Sequence, residues 1–526
     1  MDLTRRAFLG MAGAGLVTAA TTTLPRPARR AFAAPGALPA PPFTLGVASG
    51  EPTPGGMVLW TRLAPDPLAP DGTGGMPPRP VAVRWEVAED ERFSRVVHRG
   101  LEVTRPETAH SVHAEVDGLR PGREYLYRFR AEAEISPVGR TRTAPAAGST
   151  TPLRLGFASC SMFEHGYFTA YRHMAEDDLD LMVHLGDYIY EYAPSEYRSP
   201  TGNVRAFSNG HIHTLADYRV RHAQYRTDPD LQAAYGAAPW IVTWDDHEVD
   251  HNWADEVPEE DGQTREAFLA RRAVALQAYW ENMPLRPSMA PVGIDLPLHR
   301  RLAWGSLASF HVLDTRQYRS DQACGDRTRI DCAERLDPSR TITGDDQERW
   351  LIDGLARSTT TWNVLAQQVV FSQRDFEAGP VQRFSMDAWD GYKASRDRVM
   401  AAIVARGPRV LNPVVLTGDV HVNYAADLKA DFADPASATT GVELIGTSVT
   451  SGGNGADTTA GGETVLRENP HFRFFNAQRG YVRCTVTPGQ WRADYRVLPW
   501  VTSPGAPAST RASFVTEAGR PGLQAA

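Results

Sequence analysis

Residues 181–190 read LMVHLGDYIY, in which a largely apolar run, Leu181 to Leu185, stops at Gly186 and Asp187. A run of this length is typical of a strand that is buried on both faces of its sheet. Other short runs along the chain also end in polar or charged clusters, and patterns with a helical period separate them. This alternation predicts a layered α/β domain, in which helices cover both faces of the sheet.

The predicted α/β domain spans residues 152–500. Its strands are expected at residues 153–158, 181–185, 240–244, 309–313, 363–366 and 414–416. Its helices are expected at residues 168–176, 215–225, 265–280, 345–357 and 395–406. We therefore expect an α+β architecture of layered sheets and helices for this part of the chain.

Residues 43–145 follow a different pattern. Short alternating segments, at 56–63, 81–88, 96–103, 111–116 and 124–131, are separated by turn-rich stretches. Strands at this spacing predict a β-sandwich of the immunoglobulin or fibronectin type, with Trp60 and Trp85 available to fill its core. Because no metal-ligating side chains cluster in this region, we expect it to act as a scaffold.

The first residues indicate an export signal. Arg5 and Arg6 precede a mildly apolar stretch, and Ala31-Phe32-Ala33 offers small residues for cleavage after Ala33. This is typical of a twin-arginine signal peptide over residues 1–33, with the twin-arginine translocase as a partner during export. No apolar run long enough to span a membrane follows. We therefore expect a secreted, cell-envelope or periplasmic protein without a transmembrane segment in its mature chain.

The mature chain is acidic. The whole sequence of 526 residues has a formal net charge of -8, and without residues 1–33 it has 50 basic and 62 acidic residues, a net charge of -12. This balance disfavours nucleic acid as a partner, and no nucleic-acid-binding module is evident. It also opposes anionic substrates, unless bound cations reverse the field at the site.

Four cysteines occur in a chain that is expected to be exported. Cys324 and Cys332 flank a short polar loop, so they are the natural disulfide pair in an oxidising compartment. Cys160 and Cys484 could pair with each other, stay free or bind a metal. Cys484 lies in the middle of a predicted strand, which favours a buried, inert thiol.

Polar clusters follow four of the predicted strands. They are Ser159-Cys160, Gly186-Asp187-Tyr188-Ile189-Tyr190, Asp245-Asp246-His247-Glu248 and Gly418-Asp419-Val420-His421. Open α/β sheets assemble ligand sites beyond the carboxyl ends of their strands, so these side chains are expected to lie together. Asp187 and Asp419 could instead cap the helices that follow them.

The motifs resemble those of the alkaline phosphatase D (PhoD-like) family, within the calcineurin-like and purple acid phosphatase superfamily of metallophosphoesterases. The similar segments are Phe157-Ala158-Ser159-Cys160, His184-Leu185-Gly186-Asp187, Trp244-Asp245-Asp246-His247-Glu248, Leu313-Asp314-Thr315-Arg316, Trp389-Asp390-Gly391-Tyr392 and Thr417-Gly418-Asp419-Val420-His421. Gly46-Val47-Ala48-Ser49-Gly50 in the predicted sandwich also matches. The resemblance therefore covers nearly the whole mature chain, and it implies a metallophosphoesterase domain after the sandwich.

The resemblance implies an Fe³⁺ ion together with Ca²⁺. The thiolate of Cys160 and the phenolate of Tyr190 suit a trivalent ion, so Cys160, Asp187, Tyr190 and His421 are assigned to iron, with Asp187 bridging. Carboxylates alone suit calcium, to which Asp246 and Asp419 are assigned. Asp245 is adjacent to Asp246, so their side chains should diverge and we expect only one of them to bind a metal directly. Similarity to the superfamily's Asn-His-Glu motif favours Asp246.

The implied activity is hydrolysis of phosphate mono- or diesters by a metal-bound hydroxide. His247 is expected to contact the phosphate oxygens or to protonate the leaving group, although it could also be structural. Five further residues are candidates for the pocket or its surroundings: Asp245, Asn252, Asp314, Arg316 and Asp390. Two alternatives stay open: a phosphodiesterase or phospholipase D acting on phospholipids, and a secreted binding protein without catalysis.

Overall fold

The structure is a computed structural model that describes residue 38 and residues 41–259 and 262–526. The predicted signal peptide, residues 1–33, lies outside the described residues. Eight strands form the N-terminal part of the chain: β1 (Val47–Thr53), β2 (Gly56–Arg62), β3 (Val81–Ala88), β4 (Val96–Thr104), β5 (Ser111–Val116), β6 (Glu124–Ala131), β7 (Glu134–Ile135) and β8 (Gly139–Arg142). All five alternating segments predicted in this region are strands with nearly the predicted bounds.

The N-terminal strands form the predicted β-sandwich. One layer is the antiparallel sheet of β3, β4, β6, β7 and β8, and the other is the antiparallel set of β1, β2 and β5. Their apolar side chains, including Leu59, Trp85 and Phe129, form one core between the layers. Trp60 was expected in this core but points to the opposite face, because side chains alternate along a strand, and it belongs to a different apolar cluster, in which its ring lies against Arg226.

The described residues after position 145 contain sixteen strands and eight α-helices. The strands are β9 (Leu153–Ala158), β10 (Leu181–Leu185), β11 (Trp240–Thr243), β12 (Arg300–Trp304), β13 (Ala308–Val312), β14 (Thr328–Ile330), β15 (Trp362–Ala366), β16 (Arg383–Ser385), β17 (Pro413–Thr417), β18 (Asn423–Lys429), β19 (Thr439–Ile445), β20 (Gly455–Ala456), β21 (Phe472–Val486), β22 (Gln490–Leu498), β23 (Ser509–Glu517) and β24 (Arg520–Ala525). The helices are α1 (Thr169–Glu176), α2 (Leu215–Arg226), α3 (Pro229–Tyr235), α4 (Arg265–Asn282), α5 (Gly344–Arg357), α6 (Lys393–Arg406), α7 (Pro408–Leu411) and α8 (Ala460–Glu468).

Two stacked sheets organise this domain. In the first sheet the strand order is β5-β2-β1-β11-β10-β9-β21-β22-β23-β24, so the sandwich layer of β1, β2 and β5 continues into it through β1 and β11. In the second sheet the order is β12-β13-β15-β17-β19-β18-β21. Strand β21 belongs to both sheets, and β23 and β24 extend the first sheet beyond residue 500.

Three apolar clusters make this a four-layer arrangement. Side chains between the sheets, such as Phe157, Val183, Phe310 and Val414, form the central core. On the outer face of the first sheet, residues of α1 to α4 pack against it, and on the outer face of the second sheet residues of α5 and α6 do the same. The predicted layered class is therefore confirmed.

The carboxyl ends of the parallel strands meet at one edge of this double sheet. Strands β9, β10 and β11 run parallel in the first sheet, as do β13, β15 and β17 in the second. The two edges touch where Gln368, just after β15, donates hydrogen bonds to Thr243 Oγ1 at 2.8 Å and to the Leu313 carbonyl at 3.0 Å. Among the described residues, no helix has the length and apolar character needed to cross a bilayer.

Candidate metal centre

The predicted ligands come from four strand ends at this shared edge. Cys160 follows β9, Asp187 and Tyr190 follow β10, Asp245 and Asp246 follow β11, and Asp419 and His421 follow β17. The loops approach each other so closely that glycine is needed. A Cβ atom at Gly186, which has φ 104°, would lie 2.5 Å from Asp245 Cβ, and one at Gly418 would lie 2.6 Å from Ser159 Oγ.

The ligand loops hold unusual backbone conformations. Cys160, Asp187, Asp419 and His421 all have positive φ, at 60°, 54°, 64° and 55°. This left-handed conformation is unfavourable for residues with a Cβ, and it persists at sites where the surrounding structure imposes it. The surrounding structure therefore fixes an unfavourable backbone at four of the six predicted ligands.

One group of side chains gathers around Asp187. Ligand atoms of Cys160, Asp187 and His421 all lie within 4.8 Å of one another. Tyr190 Oη donates to Asp187 Oδ2 at 3.0 Å and is 3.3 Å from His421 Nε2. The structure therefore brings together the four residues that were predicted to hold iron.

Asp187 is also part of a second group. Its carboxylate lies within 4.8 Å of those of Asp245 and Asp246, and all three side chains are buried. Burial, together with the charge of Asp245, raises the pKa of Asp419 well above its ordinary value, so the fourth carboxylate shares this environment. Asp187 thus stands between a mixed thiol, phenol and imidazole set and an acidic set.

Two buried carboxylate oxygens in this arrangement have no hydrogen-bond partner among the described residues. They are Asp187 Oδ1 and Asp245 Oδ2. A buried oxygen without a donor is costly, and a cation is the usual partner for such a group. The donor set therefore fits metal ions, with both orphan oxygens available as ligands.

The pKa values of the side chains in this cluster support the same conclusion. Burial, and next the charge of Asp187, raise the pKa of the Cys160 thiol and of the Tyr190 phenol well above their ordinary values. Burial also lowers the pKa of His421 to about 3, which keeps its imidazole neutral and able to bind a metal. Thiolate and phenolate can exist here only if a positive charge compensates them.

Comparison with known proteins identifies the family. Residues 155–495 match the model of the PhoD-like phosphatase family, and residues 30–145 match that of the PhoD-like phosphatase N-terminal domain. The chain belongs to the PhoD-like phosphatase family. It is 56% identical over 484 residues to alkaline phosphatase D of Bacillus subtilis (strain 168), which covers 92% of this chain and 82% of that protein. The predicted resemblance is therefore confirmed, and the chain is a metal-dependent phosphoesterase.

Solved structures agree with this assignment. A structure of PhoD superposes with a TM-score of 0.91 at 55% identity and covers 94% of this chain and 93% of its own. A purple acid phosphatase from yellow lupin (Lupinus luteus) seeds has a TM-score of 0.53 at 14% identity, and covers 90% of this chain and 73% of its own. The latter likeness concerns the fold alone.

Arg316 joins the acidic side of the centre in this PhoD-like phosphatase. Its buried guanidinium donates from Nε to Asp245 Oδ1 at 2.6 Å and from Nη1 to Asp387 Oδ1 at 2.7 Å. Asp387 also accepts from Arg319 at 2.8 Å. Asp387 was not predicted, because it follows no long strand and its contacts to Arg316 span 71 residues of sequence.

His247 is held by the carboxylate of Glu191, which was not predicted as a site residue. Glu191 Oε2 is 2.7 Å from His247 Nδ1, and His247 Nε2 is 3.8 Å from Asp246 Oδ2. Although burial opposes it, the charges of Asp246 and Glu191 raise the pKa of His247 well above its ordinary value. The ring also packs against Tyr190, with centroids 4.2 Å apart.

Glu248 supports the ligand loops themselves. Its buried carboxylate accepts the backbone N–H groups of Asp187 at 3.1 Å and Asp245 at 2.8 Å, and also that of Tyr188. Because three donors from two loops meet on one side chain, Glu248 fixes the distance between the loops that follow β10 and β11. Its place in the Asp-Asp-His-Glu cluster was the only sequence signal for this role.

The remaining predicted pocket residues occupy different places. Asn252 contacts the centre, because its backbone N–H donates to Asp246 Oδ2 at 2.8 Å. Asp314 Oδ1 instead accepts the backbone N–H groups of Arg316 and Gln317 at 2.9 and 3.0 Å, so it supports the turn that carries Arg316. Asp390 pairs with Arg396 at 2.6 Å and, among the described residues, makes no hydrogen bond to the predicted ligands.

The disulfide expected between Cys324 and Cys332 is present, and Cys160 and Cys484 are free thiols. Cys484 lies in the core between the two sheets, as the prediction of a buried thiol required. Cys160 and Cys484 therefore do not pair with each other.

Proposed function

We propose that this chain is an exported hydrolase of phosphate esters whose centre holds Fe³⁺ and Ca²⁺. Cys160, Asp187, Tyr190 and His421 would bind the ferric ion, since a thiolate and a phenolate are donors for a trivalent cation. Asp187, Asp246 and Asp419 would bind calcium through carboxylate oxygens. The unpaired Oδ2 of Asp245 makes that residue a further calcium ligand alongside Asp246.

One observation carries this proposal: Asp187 is common to both ligand groups, and its Oδ1 has no other partner among the described residues. A shared carboxylate is what holds two cations close enough to act on one phosphoryl group. When bound, such cations neutralise the phosphate ester and lower the pKa of a coordinated water. They also reverse the negative field that this acidic cluster would otherwise present to a phosphate.

The chain's own residues would handle the proton. His247 carries its Nδ1–H toward Glu191, which leaves Nε2 directed to the acidic side of the centre near Asp246. A protonated His247 can donate from Nε2 to the oxygen of the leaving alcohol. Arg316, bonded to Asp245 and Asp387, keeps the Asp245 carboxylate in place during this step.

Metal analysis of the purified protein tests the proposal directly. We expect about one iron per chain together with calcium, and a visible charge-transfer band from phenolate or thiolate on ferric iron. Activity on a phosphate ester should be lost on chelation and restored by iron with calcium. Full activity in the metal-free protein would contradict the proposal, as would a colourless, zinc-loaded enzyme.

The preferred type of ester can be determined by comparing hydrolysis rates on three substrates. Rates on a phosphate monoester, a simple diester and phosphatidylcholine distinguish a phosphatase from a phosphodiesterase or a phospholipase D. All three activities could use the same metal centre, because selectivity depends on what surrounds it. The binding-protein alternative predicts that ligand positions are lost, whereas all six predicted ligands are present and clustered.

Export by the twin-arginine route is part of the proposal. It is supported by Arg5 and Arg6 and by the small residues before position 34. Lysine substitutions at Arg5 and Arg6 are expected to retain the full-length precursor in the cytoplasm. Fractionation with an antibody against the mature chain measures this, and unchanged export would count against the route.

A further inference from the structure

The disulfide loop, residues 324–332, adopts a backbone that is unfavourable on its own. Cys324, Gly325, Asp326 and Arg327 are four consecutive residues with positive φ, at 54°, 68°, 57° and 64°. Only glycine adopts this left-handed conformation readily, and the other three residues disfavour it. The crosslink between Cys324 and Cys332 therefore restrains a segment that would otherwise populate other conformations.

This restrained segment clamps Asn252. Asp326, which is 6% exposed, accepts a hydrogen bond from Asn252 Nδ2 at 2.9 Å. On the other side, Gln322 Nε2 donates to the Asn252 carbonyl at 2.6 Å. Gln322 lies two residues before Cys324 and Asp326 lies two residues after it, so both contacts depend on the same stretch of backbone.

Asn252 in turn contacts a carboxylate of the metal centre. Asn252 has φ 47°, and in this conformation its backbone N–H donates to Asp246 Oδ2 at 2.8 Å. Without the bonds to Gln322 and Asp326, Asn252 would lose the contacts that hold it in the left-handed region. Asp246 would then lose a donor that orients its carboxylate.

A second branch leads from the loop to Asp245. The Arg327 carbonyl accepts the Met386 N–H at 2.8 Å. Arg327 directly precedes β14 and Met386 directly follows β16, and these two strands pair with each other. The next residue, Asp387, binds Arg316, which in turn binds Asp245. The loop therefore supports both aspartates that follow β11.

We propose that formation of the Cys324–Cys332 disulfide raises the affinity of the Asp245 and Asp246 side of the centre for its divalent cation, with Asp326 and Asn252 as positioning residues. This inference rests on the proposed function for the place of that cation. Coupling is reciprocal, so a cation that binds the oxidised protein better also stabilises the disulfide against reduction. Cation binding would thus be about tenfold tighter in protein that has reached an oxidising compartment.

Two alanine variants test the clamp. Asp326→Ala removes the acceptor for Asn252, whereas Asp331→Ala removes an exposed carboxylate in the same loop at nearly the same φ, 57° against 58°. Titration of the iron-loaded proteins with calcium chloride by calorimetry should give about tenfold weaker binding for Asp326→Ala and wild-type binding for Asp331→Ala. Asp326→Asn retains an acceptor oxygen and should restore affinity. Equal affinity in Asp326→Ala and wild type overturns the inference.

Reduction of the disulfide tests the inference in the wild-type protein, without a substitution at Asn252 or Asp326. Dithiothreitol gives two electrons and two protons to convert the disulfide into two thiols, and is itself oxidised to its cyclic disulfide. The midpoint of this reduction in wild type should become more negative with calcium chloride, by about 30 mV for each tenfold coupling. The Cys324→Ser, Cys332→Ser double variant, in which no reductant is needed, should bind calcium as weakly as Asp326→Ala.

The outcomes separate this inference from the proposed function. Calcium binding that is the same with and without the disulfide, in a wild type that is active and holds both metals, overturns only the inference. A wild type that binds no calcium overturns the inference and the calcium assignment together. A melting curve for each variant shows whether the variant is folded. If Asp326→Ala does not fold, the calcium-dependent shift of the reduction midpoint in the wild type tests the inference instead.

Discussion

Glu191 Oε2 lies 2.7 Å from His247 Nδ1, and both side chains are buried beside the metal centre. The same carboxylate accepts the backbone N–H of His251 at 3.1 Å through Oε1, so it is fixed at both oxygens. A carboxylate in this position sets the orientation of the imidazole and stabilises its protonated form. Under the proposed function, this pair is therefore the part of the site that supplies the proton donor.

Substitution Glu191→Gln should affect esters of poor leaving groups most. An alkyl phosphate needs protonation of its leaving oxygen, so we expect kcat to fall by about 100-fold, within the range of general acid catalysis. A dinitrophenyl phosphate needs little protonation, and its kcat should change by less than about threefold. Steady-state kinetics on both esters measures the difference. An equal loss on both would indicate a structural role instead.

Glu196→Gln is a matched control for this variant. Glu196 also pairs with a histidine, since its Oε2 is 3.1 Å from His211 Nδ1, but it is exposed and does not contact His247. Its substitution should leave both rates unchanged.

The two free thiols should behave differently. Cys160→Ser replaces a proposed iron ligand in the group formed with Asp187 and His421, so iron content should fall and activity should drop by at least about 100-fold. Cys484→Ala alters only the core between the sheets and should keep both iron and activity. Metal analysis by mass spectrometry and an ester assay compare the two. Normal iron content in Cys160→Ser would contradict the assignment.

Tyr190→Phe tests the origin of the expected colour. The phenol of Tyr190 is 3.0 Å from Asp187 Oδ2, and its removal should abolish or shift the charge-transfer band of ferric iron. Tyr192→Phe is the control, because its ring is next to that of Tyr190, with centroids 6.4 Å apart, but it lies outside the ligand group. An unchanged visible spectrum in Tyr190→Phe would exclude a phenolate ligand.

The strand ends of the α/β domain could be predicted from the sequence because burial leaves a local signal. The runs 153–158 and 181–185 are strands with the predicted bounds, and the ligands that follow them meet as expected. The side chain of Trp60 could not be placed in the same way, since both faces of β2 are buried and neither residue type nor period distinguishes them.

The supporting residues left weaker signals. Glu248 accepts hydrogen bonds from backbone groups of two loops. Asp387 contacts Arg316 although the two residues are 71 positions apart in the sequence. Such contacts depend on tertiary geometry, not on local pattern. The left-handed backbone at Cys160 and Asp187 is likewise invisible in the sequence, because neither residue is a glycine.

The metal-free protein should lose stability as the pH rises from 7.5 to 8.5. Burial raises the pKa of Glu248 to about 8 and that of Asp419 well above its ordinary value, so the folded chain binds protons here that the unfolded chain has lost. Buried histidines with a lowered pKa, such as His184, act in the opposite direction, but only below this range, where unfolded histidine is still protonated. The free energy of unfolding therefore falls with increasing pH. The raised pKa of His247 acts in the same direction, whereas the lowered pKa of Asp246 matters only in acid.

Bound cations replace those protons, so the stabilisation by metal should grow with pH. Differential scanning calorimetry of the chelated and the reloaded protein at pH 7.5 and 8.5 measures this. We expect the gain in Tm on reloading to be larger at pH 8.5 by several degrees. A chelated protein whose Tm rises between these pH values would show that the buried acids do not hold protons in the absence of metal, and the electrostatic basis of the centre would then be wrong.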